Sequence, residues 1–362
     1  MRRIAGTWIV SLMLVSGSAL ADGSFTGRDR FDLDRPEIRQ FVESTATEQK
    51  MQPLDVYRLL AKAEPQPKII ELISKPAEKV SPWWQYRDRF LTEQRINEGA
   101  QFMQEHRQRL EKAQQDTGVA PEYVVAIIGV ETFYGRITGK FRVLDALTTL
   151  SFDYSPRADF FRSELAQFIA LSREEKVDPL TAMGSYAGAM GASQFMPSSY
   201  RRYAVDGSGD DQRDLFADWD DIIASVANYF AKNGWVANGP VLADAVLQPD
   251  APVVADPGNL ALNETVAGLK AKGVDFDPVS QDADAKVLLV PAETQLGPSY
   301  RVGFKNFEVI TRYNRSVRYA MAVHDLAQTI AVRVAATDAT RAENPTHLAS
   351  SKSTEEEDGT TR

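Results

Sequence analysis

The sequence predicts a mainly α-helical (α+β) protein that carries a small β-rich insert. Between residues 22 and 237, long segments place apolar side chains at helical spacing, whereas residues 238–305 contain Pro, Gly and β-branched residues in short runs. Helical spacing returns at 316–334. With 362 residues, of which 43% are hydrophobic and 25% charged, the chain can hold two or three domains, and general disorder is not expected.

The charge and the first residues indicate an exported protein. A net charge of −9 argues against a general nucleic-acid binder. Residues 1–21 combine a basic start, an apolar stretch and the small-residue pattern ALA, which is typical of a signal peptide cleaved after Ala21. The chain has no cysteine, so this start lacks the residue that a lipoprotein signal needs. We expect a soluble protein of the bacterial periplasm.

Changes in composition predict five regions in the mature chain. Gly118 is expected to end a charged helix, and Pro121 to open the next one at its first position. The tail is polar and is expected to be disordered. The predicted regions are an N-terminal helical domain at 22–110, a central core at 111–237, the insert at 238–305, a C-terminal helical part that completes the core at 306–335, and the tail at 336–362.

Glu131 lies where an apolar helix face should bury its next side chain. Val124, Ile127, Ile128 and Glu131 follow one another at i, i+3, i+4 and i+7. One interpretation is a glutamate held by a nearby arginine, such as Arg136 or Arg142. The other is a general acid whose pKa is raised by burial. The spacing alone does not decide between them.

The segment GSYAGAMGASQFMPSSY, residues 184–200, favours the acid. Its glycines and alanines allow close approach of a ligand or of another helix, and Ser185 and Gln194 border them. Tight helix packing is the alternative interpretation. Many aromatic residues accompany these segments, and sugars stack on aromatic rings while fixed polar groups bind their hydroxyls. A groove for a saccharide is therefore the favoured prediction.

Four motifs in order resemble the lytic murein transglycosylase B family: GVETFYGR, SYAGAMGASQFMPSSY, SVANYF followed by GW, and ITRYNRSVRYAMAV. The resemblance runs from about residue 30 to 335. It implies a catalytic core similar to goose-type lysozyme. It also implies cleavage of peptidoglycan between N-acetylmuramic acid and N-acetylglucosamine, with 1,6-anhydromuramoyl ends and no cofactor required for the chemistry.

The resemblance implies a role for individual residues. Glu131 would act first as the acid and then as the base on the C6 hydroxyl, which explains why Asp145 and Asp153 are not needed as a second carboxylate. Core packing is the alternative for each aromatic residue. The expected substrate contacts are Ser185, Gln194, Tyr313 and Asn314 near the scissile bond, Tyr86 and Tyr229 along the groove, and Arg157 at a peptide or lactyl carboxylate.

The acidic stretch at 206–221 resembles an EF-hand calcium loop. Asp206, Ser208 and Asp210 occupy positions 1, 3 and 5, and Gln212 occupies position 7. The family register adds Asp221, four residues before SVANY. Asp211 replaces the usual glycine and Ala217 the usual bidentate Glu, although Asp tolerates the left-handed turn. We expect weak, structural Ca²⁺ binding, and an acidic surface turn is the alternative.

Two other functions stay open at the level of the sequence. The first is a lysozyme-like hydrolase that releases reducing ends, and the second is a catalytically inactive scaffold that binds peptidoglycan. The expected partners are glycan strands, with no nucleic acid, and a monomer is expected. Membership of a cell-wall enzyme complex, endo or exo cleavage, the preferred stem peptides and the role of the insert stay open.

Overall fold

The protein is mainly helical in its computed structural model, which describes residues 30–74, 81–253, 255–277 and 282–343. The fold class predicted from the sequence is confirmed. The predicted signal peptide lies outside the described residues. The helices are α1 Pro36–Glu48, α2 Pro53–Leu60, α3 Pro67–Ser74, α4 Trp83–Asp88, α5 Glu93–Glu105, α6 Arg107–Thr117, α7 Pro121–Thr132, α8 Val143–Phe152, α9 Ala158–Glu174, α10 Pro197–Tyr203, α11 Trp219–Lys232, α12 Val266–Ala271, α13 Lys305–Tyr313 and α14 Val317–Glu343.

Two antiparallel sheets accompany the helices in the part of the chain that the structure describes. The strands are β1 Phe141–Arg142, β2 Met183–Gly184, β3 Leu242–Leu247, β4 Glu264–Thr265, β5 Val274–Phe276, β6 Lys286–Pro291 and β7 Tyr300–Gly303. β1 pairs with β2, and the insert forms a sheet in the order β4-β6-β7-β3-β5. The β-branched runs of residues 238–305 therefore form strands, as their composition predicts.

The helices on both sides of the insert share one hydrophobic core, which extends from Phe31 to Val334. Helix α5, which the sequence assigns to the N-terminal domain, packs against α7 and α14, and α6 packs against α11. The three helices α5, α7 and α14 form the centre of the molecule. The domain boundaries drawn from the sequence stay a prediction, but their helical parts are joined by this core.

Strand β6 connects the insert to the helical core because both of its faces are buried. Val287 and Leu289 point into the insert's own small core, and Leu288 and Val290 point into the large one. Successive side chains of a strand alternate between its two faces, so four consecutive apolar residues can serve two cores.

The last helix extends beyond the boundary predicted from the sequence. We expected disorder from residue 336 onward, yet α14 continues to Glu343. The segment between 336 and 343 contains no Pro or Gly that would end a helix, and Pro345 follows shortly after it. The rest of the predicted tail lies outside the described residues. Among the described residues, no helix has the length and apolar character needed to cross a membrane.

Candidate active site

Helix α7 carries Glu131 in its last turn, at the centre of the molecule. Pro121 opens the helix and the left-handed Gly118 ends α6, as predicted. The apolar residues are buried on every side of α7, since Val125 and Ala126 are as inaccessible as Ile127 and Ile128. The single apolar face inferred from the spacing is therefore incomplete, because a central helix is surrounded by its neighbours. Glu131 itself keeps partial contact with solvent.

The Glu131 carboxyl has a tyrosine as its hydrogen-bond partner. The hydroxyl of Tyr319 in α14 donates to Glu131 Oε1 over 2.5 Å. Burial raises the pKa of Glu131 to about 7, and the hydrogen bond from Tyr319, which favours the charged form, offsets only part of this effect. A carboxyl with this pKa can both hold and accept a proton near neutral pH.

The arginines that could have held Glu131 in an ion pair are bound elsewhere. Arg136 pairs with Glu98 at 2.8 Å, and Arg142 pairs with Asp145 at 2.6 Å. The interpretation of Glu131 as one member of a structural ion pair with Arg136 or Arg142 is therefore wrong.

The other carboxylates considered from the sequence are also bound to arginines. Asp145 is the partner of Arg142, and Asp153 accepts a hydrogen bond from Arg35 at 2.6 Å. Neither is poised to act as a second catalytic carboxylate, so the arrangement supports chemistry that depends on one carboxyl group.

Two further tyrosines lie within the electrostatic influence of Glu131. Burial, followed by the charge of Glu131, raises the pKa of Tyr86 to about 12, and the same two causes raise the pKa of Tyr313. Tyr86 is half-buried, whereas Tyr313 is fully buried and its hydroxyl donates to the carbonyl oxygen of Ser193 over 2.6 Å. Tyr86 is therefore accessible to a ligand, whereas Tyr313 is not.

A tight turn follows helix α7. Phe133, Tyr134 and Gly135 are all left-handed, with φ values of 53°, 59° and 82°. The hydroxyl of Thr132 accepts a hydrogen bond from Gly135 N at 3.0 Å and donates to Ala192 O at 2.9 Å. Consecutive non-glycine residues in this region cost conformational energy and are kept only where the surroundings hold them. The turn fixes the end of α7 against the segment 184–200.

In the segment 184–200, a compact turn leads into α10. The structure here differs from the alternative interpretation, which was tight packing of one helix on another. Gly188 and Gly191 are left-handed, and a Cβ on Gly191 would lie 2.1 Å from Leu215 O. At these two positions glycine permits close packing within the protein. Ser185 Oγ accepts from Ala189 N at 3.0 Å, and the left-handed Gln194 donates from Nε2 to Thr138 O at 2.9 Å. Both polar side chains are half-buried and firmly held.

Asn314 follows Tyr313 at the end of α13 and offers an unsatisfied acceptor. Its Oδ1 atom is buried and has no hydrogen-bond partner among the described residues. Buried polar atoms of this kind are rare, and a ligand that brings a donor can satisfy them.

Three predicted substrate contacts have other surroundings. Tyr313 is inaccessible to solvent and its hydroxyl is bound to Ser193 O, so it packs in the core. Tyr229 is only 1% exposed and its hydroxyl donates to Arg312 O at 2.7 Å, so it packs in the core and does not line an open groove. The alternative of core packing is correct for this residue. Arg157 is exposed at the start of α9, with its guanidinium 4.4 Å from the centre of the Phe160 ring. None of its contacts with the described residues connects it to the residues around Glu131.

Tyr319 is the residue that sequence reasoning missed. It lies inside the motif ITRYNRSVRYAMAV, where its hydroxyl interrupts an apolar helical run. That interruption is a signal of the same kind as the one that drew attention to Glu131. Its partner could not be identified, however, because the two residues are 188 positions apart in the chain.

The acidic loop brings three carboxylates together. One oxygen from each of Asp206, Asp210 and Asp221 lies within 4.8 Å of the other two. Oxygens on opposite sides of a Ca²⁺ ion are separated by about 5 Å, so this spacing fits the ion. Asp211 adopts the left-handed conformation that position 6 requires, with φ at 67°.

Two details support Asp221 over its neighbour as the late acidic residue of the loop. Asp221 is 1% exposed, and its Oδ1 accepts from Gly207 N at 2.8 Å. Asp220 points away to Arg109 at 2.8 Å. Ser208 and Gln212 lie in the loop as predicted: Ser208 Oγ is 3.4 Å from Asp206 Oδ1, and Gln212 N donates to Asp210 Oδ1 at 2.9 Å.

Comparisons with known proteins agree with this arrangement. The family model described as transglycosylase SLT domain matches residues 34–328. Over 311 residues the chain is 39% identical to membrane-bound lytic murein transglycosylase B of Escherichia coli (strain K12), covering 83% of this chain and 84% of that protein.

Two solved structures are similar along most of their length. Soluble lytic transglycosylase SltB1 from Pseudomonas aeruginosa is 43% identical with a TM-score of 0.77, covering 82% of this chain and 99% of that one. The Escherichia coli lytic transglycosylase Slt35, solved in complex with calcium, is 37% identical with a TM-score of 0.76, covering 85% and 97%.

Proposed function

Because the chain belongs to the transglycosylase SLT domain family, we propose that it is a lytic transglycosylase that cleaves peptidoglycan through Glu131. The resemblance inferred from four sequence motifs is confirmed by these comparisons. The observation that carries the assignment of Glu131 is a carboxyl group with a pKa of about 7 that is hydrogen-bonded to Tyr319 and keeps access to solvent.

The proposed reaction uses one carboxyl group twice. Protonated Glu131 gives its proton to the glycosidic oxygen between N-acetylmuramic acid and N-acetylglucosamine, and the bond from that oxygen to C1 breaks. The carboxylate then removes the proton from the C6 hydroxyl of the muramoyl residue, whose oxygen bonds to C1. The product is a 1,6-anhydromuramoyl end, and Glu131 is protonated again. No water is consumed, so no second carboxylate is needed.

The residues around Glu131 support binding of a glycan. We propose that Asn314 Oδ1, which lacks a partner among the described residues, accepts a hydrogen bond from a sugar hydroxyl or amide. Ser185 and Gln194 would contact the sugars near the scissile bond, and the half-buried Tyr86 would present its ring or hydroxyl. Arg157, exposed and cationic, would meet a peptide or lactyl carboxylate at the edge of the groove.

Mass spectrometry of the products tests this function. Purified sacculi are incubated with the mature chain, residues 22–362, or with its Glu131→Gln variant, and the released muropeptides are analysed. Anhydromuramoyl ends from the wild type alone are the expected result. Reducing ends would indicate a lysozyme-like hydrolase, and binding without products from either protein would indicate a scaffold.

We also propose that the loop 206–221 binds Ca²⁺ as a structural ion. Asp206, Asp210 and Asp221 supply three carboxylates at suitable spacing, and the similar Slt35 structure was solved with calcium. The loop lacks the bidentate Glu of an EF-hand at position 12, where Ala217 stands, which predicts weak affinity. The ion takes no part in the proposed chemistry.

Export to the periplasm is part of the proposal. Peptidoglycan lies outside the cytoplasmic membrane, and the first 21 residues have the pattern of a signal peptide. Appearance of the mature protein in a periplasmic extract, shortened by residues 1–21, is the expected result of cell fractionation followed by N-terminal sequencing.

A further inference from the structure

The insert makes a charged contact with the helical core at a single buried carboxylate. Asp325 of α14 has a side chain that is 8% exposed. Its Oδ1 accepts from Arg301 of strand β7 at 2.8 Å, and its Oδ2 accepts from Arg87 of helix α4 at 2.9 Å. One carboxylate therefore joins the insert, the central helix α14 and the helix α4.

Arg301 also reaches α4 by a second route. Its guanidinium lies 5.9 Å from the centre of the Trp83 ring, at the first residue of α4. The Trp83 ring in turn stacks on Tyr86 with 6.3 Å between ring centres. A cation over an aromatic face is an attractive contact, and it strengthens when both groups are shielded from water.

Helix α4 depends on such contacts because it has only six residues. A helix of this length is not stable by itself in water and is held by its packing. It carries Tyr86, whose pKa responds to the charge of Glu131. The position of Tyr86 beside the carboxyl group is therefore set by whatever holds α4 against α14.

We propose that Arg301 is a positioning residue, through which the insert holds α4 so that Tyr86 stays beside Glu131 and available to the glycan. This inference rests on the proposed function for its consequence in catalysis, but the placement of α4 can be measured without it. It also gives the insert a role: the insert supports one wall of the cleft from outside.

The charges predict an order of severity among variants. Arg301→Ala leaves the pair between Arg87 and Asp325 intact but removes the cation from Trp83. Asp325→Asn leaves two guanidinium groups close to each other with only exposed carboxylates, Asp244 and Asp88, as counter-charges, so its effect is larger. Arg301→Lys keeps the charge but cannot bind two partners with a planar fork, so its effect is intermediate between wild type and alanine.

Asp244 provides the matched control. It binds the same guanidinium at 3.0 Å, but its side chain is 91% exposed and belongs to the insert. Asp244→Asn removes one exposed partner of Arg301, and it is expected to leave α4 and turnover unchanged because exposed ion pairs contribute little.

The test combines hydrogen exchange with a double-mutant cycle. Exchange at residues 83–90 is measured in the wild type, Arg301→Ala and Asp244→Asn. The kcat and KM on sacculi are then measured for Arg301→Ala, Tyr86→Phe and the double variant. We expect faster exchange at 83–90 in Arg301→Ala only, and a loss of kcat/KM of roughly tenfold, dominated by KM, as for a misplaced binding residue.

The cycle separates positioning from general stability. If Arg301 acts through Tyr86, Arg301→Ala costs much less in the Tyr86→Phe background than in the wild type. Unchanged exchange at 83–90, or additive losses in the cycle, would overturn the inference. Should the alanine variant fail to fold, Arg301→Lys is put through the same cycle. If the wild type releases no product, the proposed function fails, and the exchange result together with a cycle on sacculus binding still decides the role of Arg301.

Discussion

Glu131 has its unusual pKa because its surroundings oppose its charge. Burial disfavours the carboxylate, and the neighbouring arginines Arg136 and Arg142 are occupied by Glu98 and Asp145. The sequence predicted the inward position of Glu131, and its role as the acid stays part of the proposed function. The sequence did not identify Tyr319 as the partner of Glu131. Their contact depends on the packing of α7 against α14, and no pattern in the sequence near either residue indicates it.

The rate should depend on pH through Glu131. Cleavage needs the protonated acid in its first step, so kcat on sacculi is expected to fall as the pH rises through about 7. A pH–rate profile between pH 5 and 9 measures this falling limb. A rate that stays level up to pH 9 would contradict the assignment.

The Glu131 carboxyl should also make the free energy of unfolding depend on pH, in the direction set by its raised pKa. Its folded pKa lies above the ordinary value of 4.5, so folding favours the protonated form and stability is lost as the pH rises from about 4.5 to about 7. Glu131→Gln should therefore match the wild type at pH 4 and be more stable at pH 8, by at most about 3 kcal/mol. Melting curves at the two pH values measure this difference, and a variant that is less stable at pH 8 would speak against it.

Tyr319→Phe tests the hydrogen bond to the acid. The hydroxyl favours the charged carboxylate, so its removal should raise the pKa of Glu131 further and move the falling limb of the rate to higher pH. The first proton transfer should slow, because a carboxyl group with a higher pKa is a weaker acid, with kcat lower by roughly tenfold to a hundredfold. Tyr123→Phe is the control, since that buried hydroxyl contacts His324. An unmoved limb in Tyr319→Phe would argue against this role.

At the scale of elements, the sequence predicted where helices and strands begin and end better than it predicted which residues surround a given side chain. Pro121 and Gly118 mark the helix boundaries, and the β-branched runs mark the strands, because these signals act locally. Tyr229 was expected in the groove because an aromatic side chain suits both a groove and a core. Only the packing of α11 shows that its hydroxyl is bound inside the protein.

Calcium binding by the acidic loop can be tested by comparing variants of two adjacent residues, Asp221 and Asp220. Ca²⁺ should raise the melting temperature of the wild type. At a hundredfold excess of the ion over Kd, the free energy of unfolding should increase by about 2.7 kcal/mol. Asp221→Asn should remove this increase, whereas Asp220→Asn should keep it, because Asp220 pairs with Arg109 outside the cluster. Thermal melts with calcium and with chelator measure the effect. Equal melting temperatures of the wild type in both conditions would exclude the site.

At the scale of the whole molecule, two cores of unequal size share strand β6. The sequence located the insert from its change in composition and predicted that the part after it completes the core, but it did not show that the N-terminal helices belong to the same core. Contacts between segments so distant in the chain depend on shape complementarity that a local pattern does not record. The helices α5, α7 and α14 therefore meet in a way that only the structure shows.

The small hydrophobic core of the insert should unfold locally before the large core of the helices does. Val302 is fully buried in the insert, and Val302→Ala is expected to cost about 2 kcal/mol and to speed hydrogen exchange in β3, β6 and β7 while α8 stays protected. Val246→Ala, at a 69% exposed position of β3, is the control. Equal acceleration in α8 would show that the two cores unfold as one unit.

The hydrogen bond between Glu131 and Tyr319 has a consequence for the order in which the protein is made. The two residues are 188 positions apart, and Tyr319 belongs to α14, which leaves the ribosome after all the other described helices. A nascent chain that ends before α14 lacks both the hydroxyl that donates to the Glu131 carboxyl and the helix that packs against α7. The surroundings of Glu131 are thus complete only when synthesis has passed residue 319.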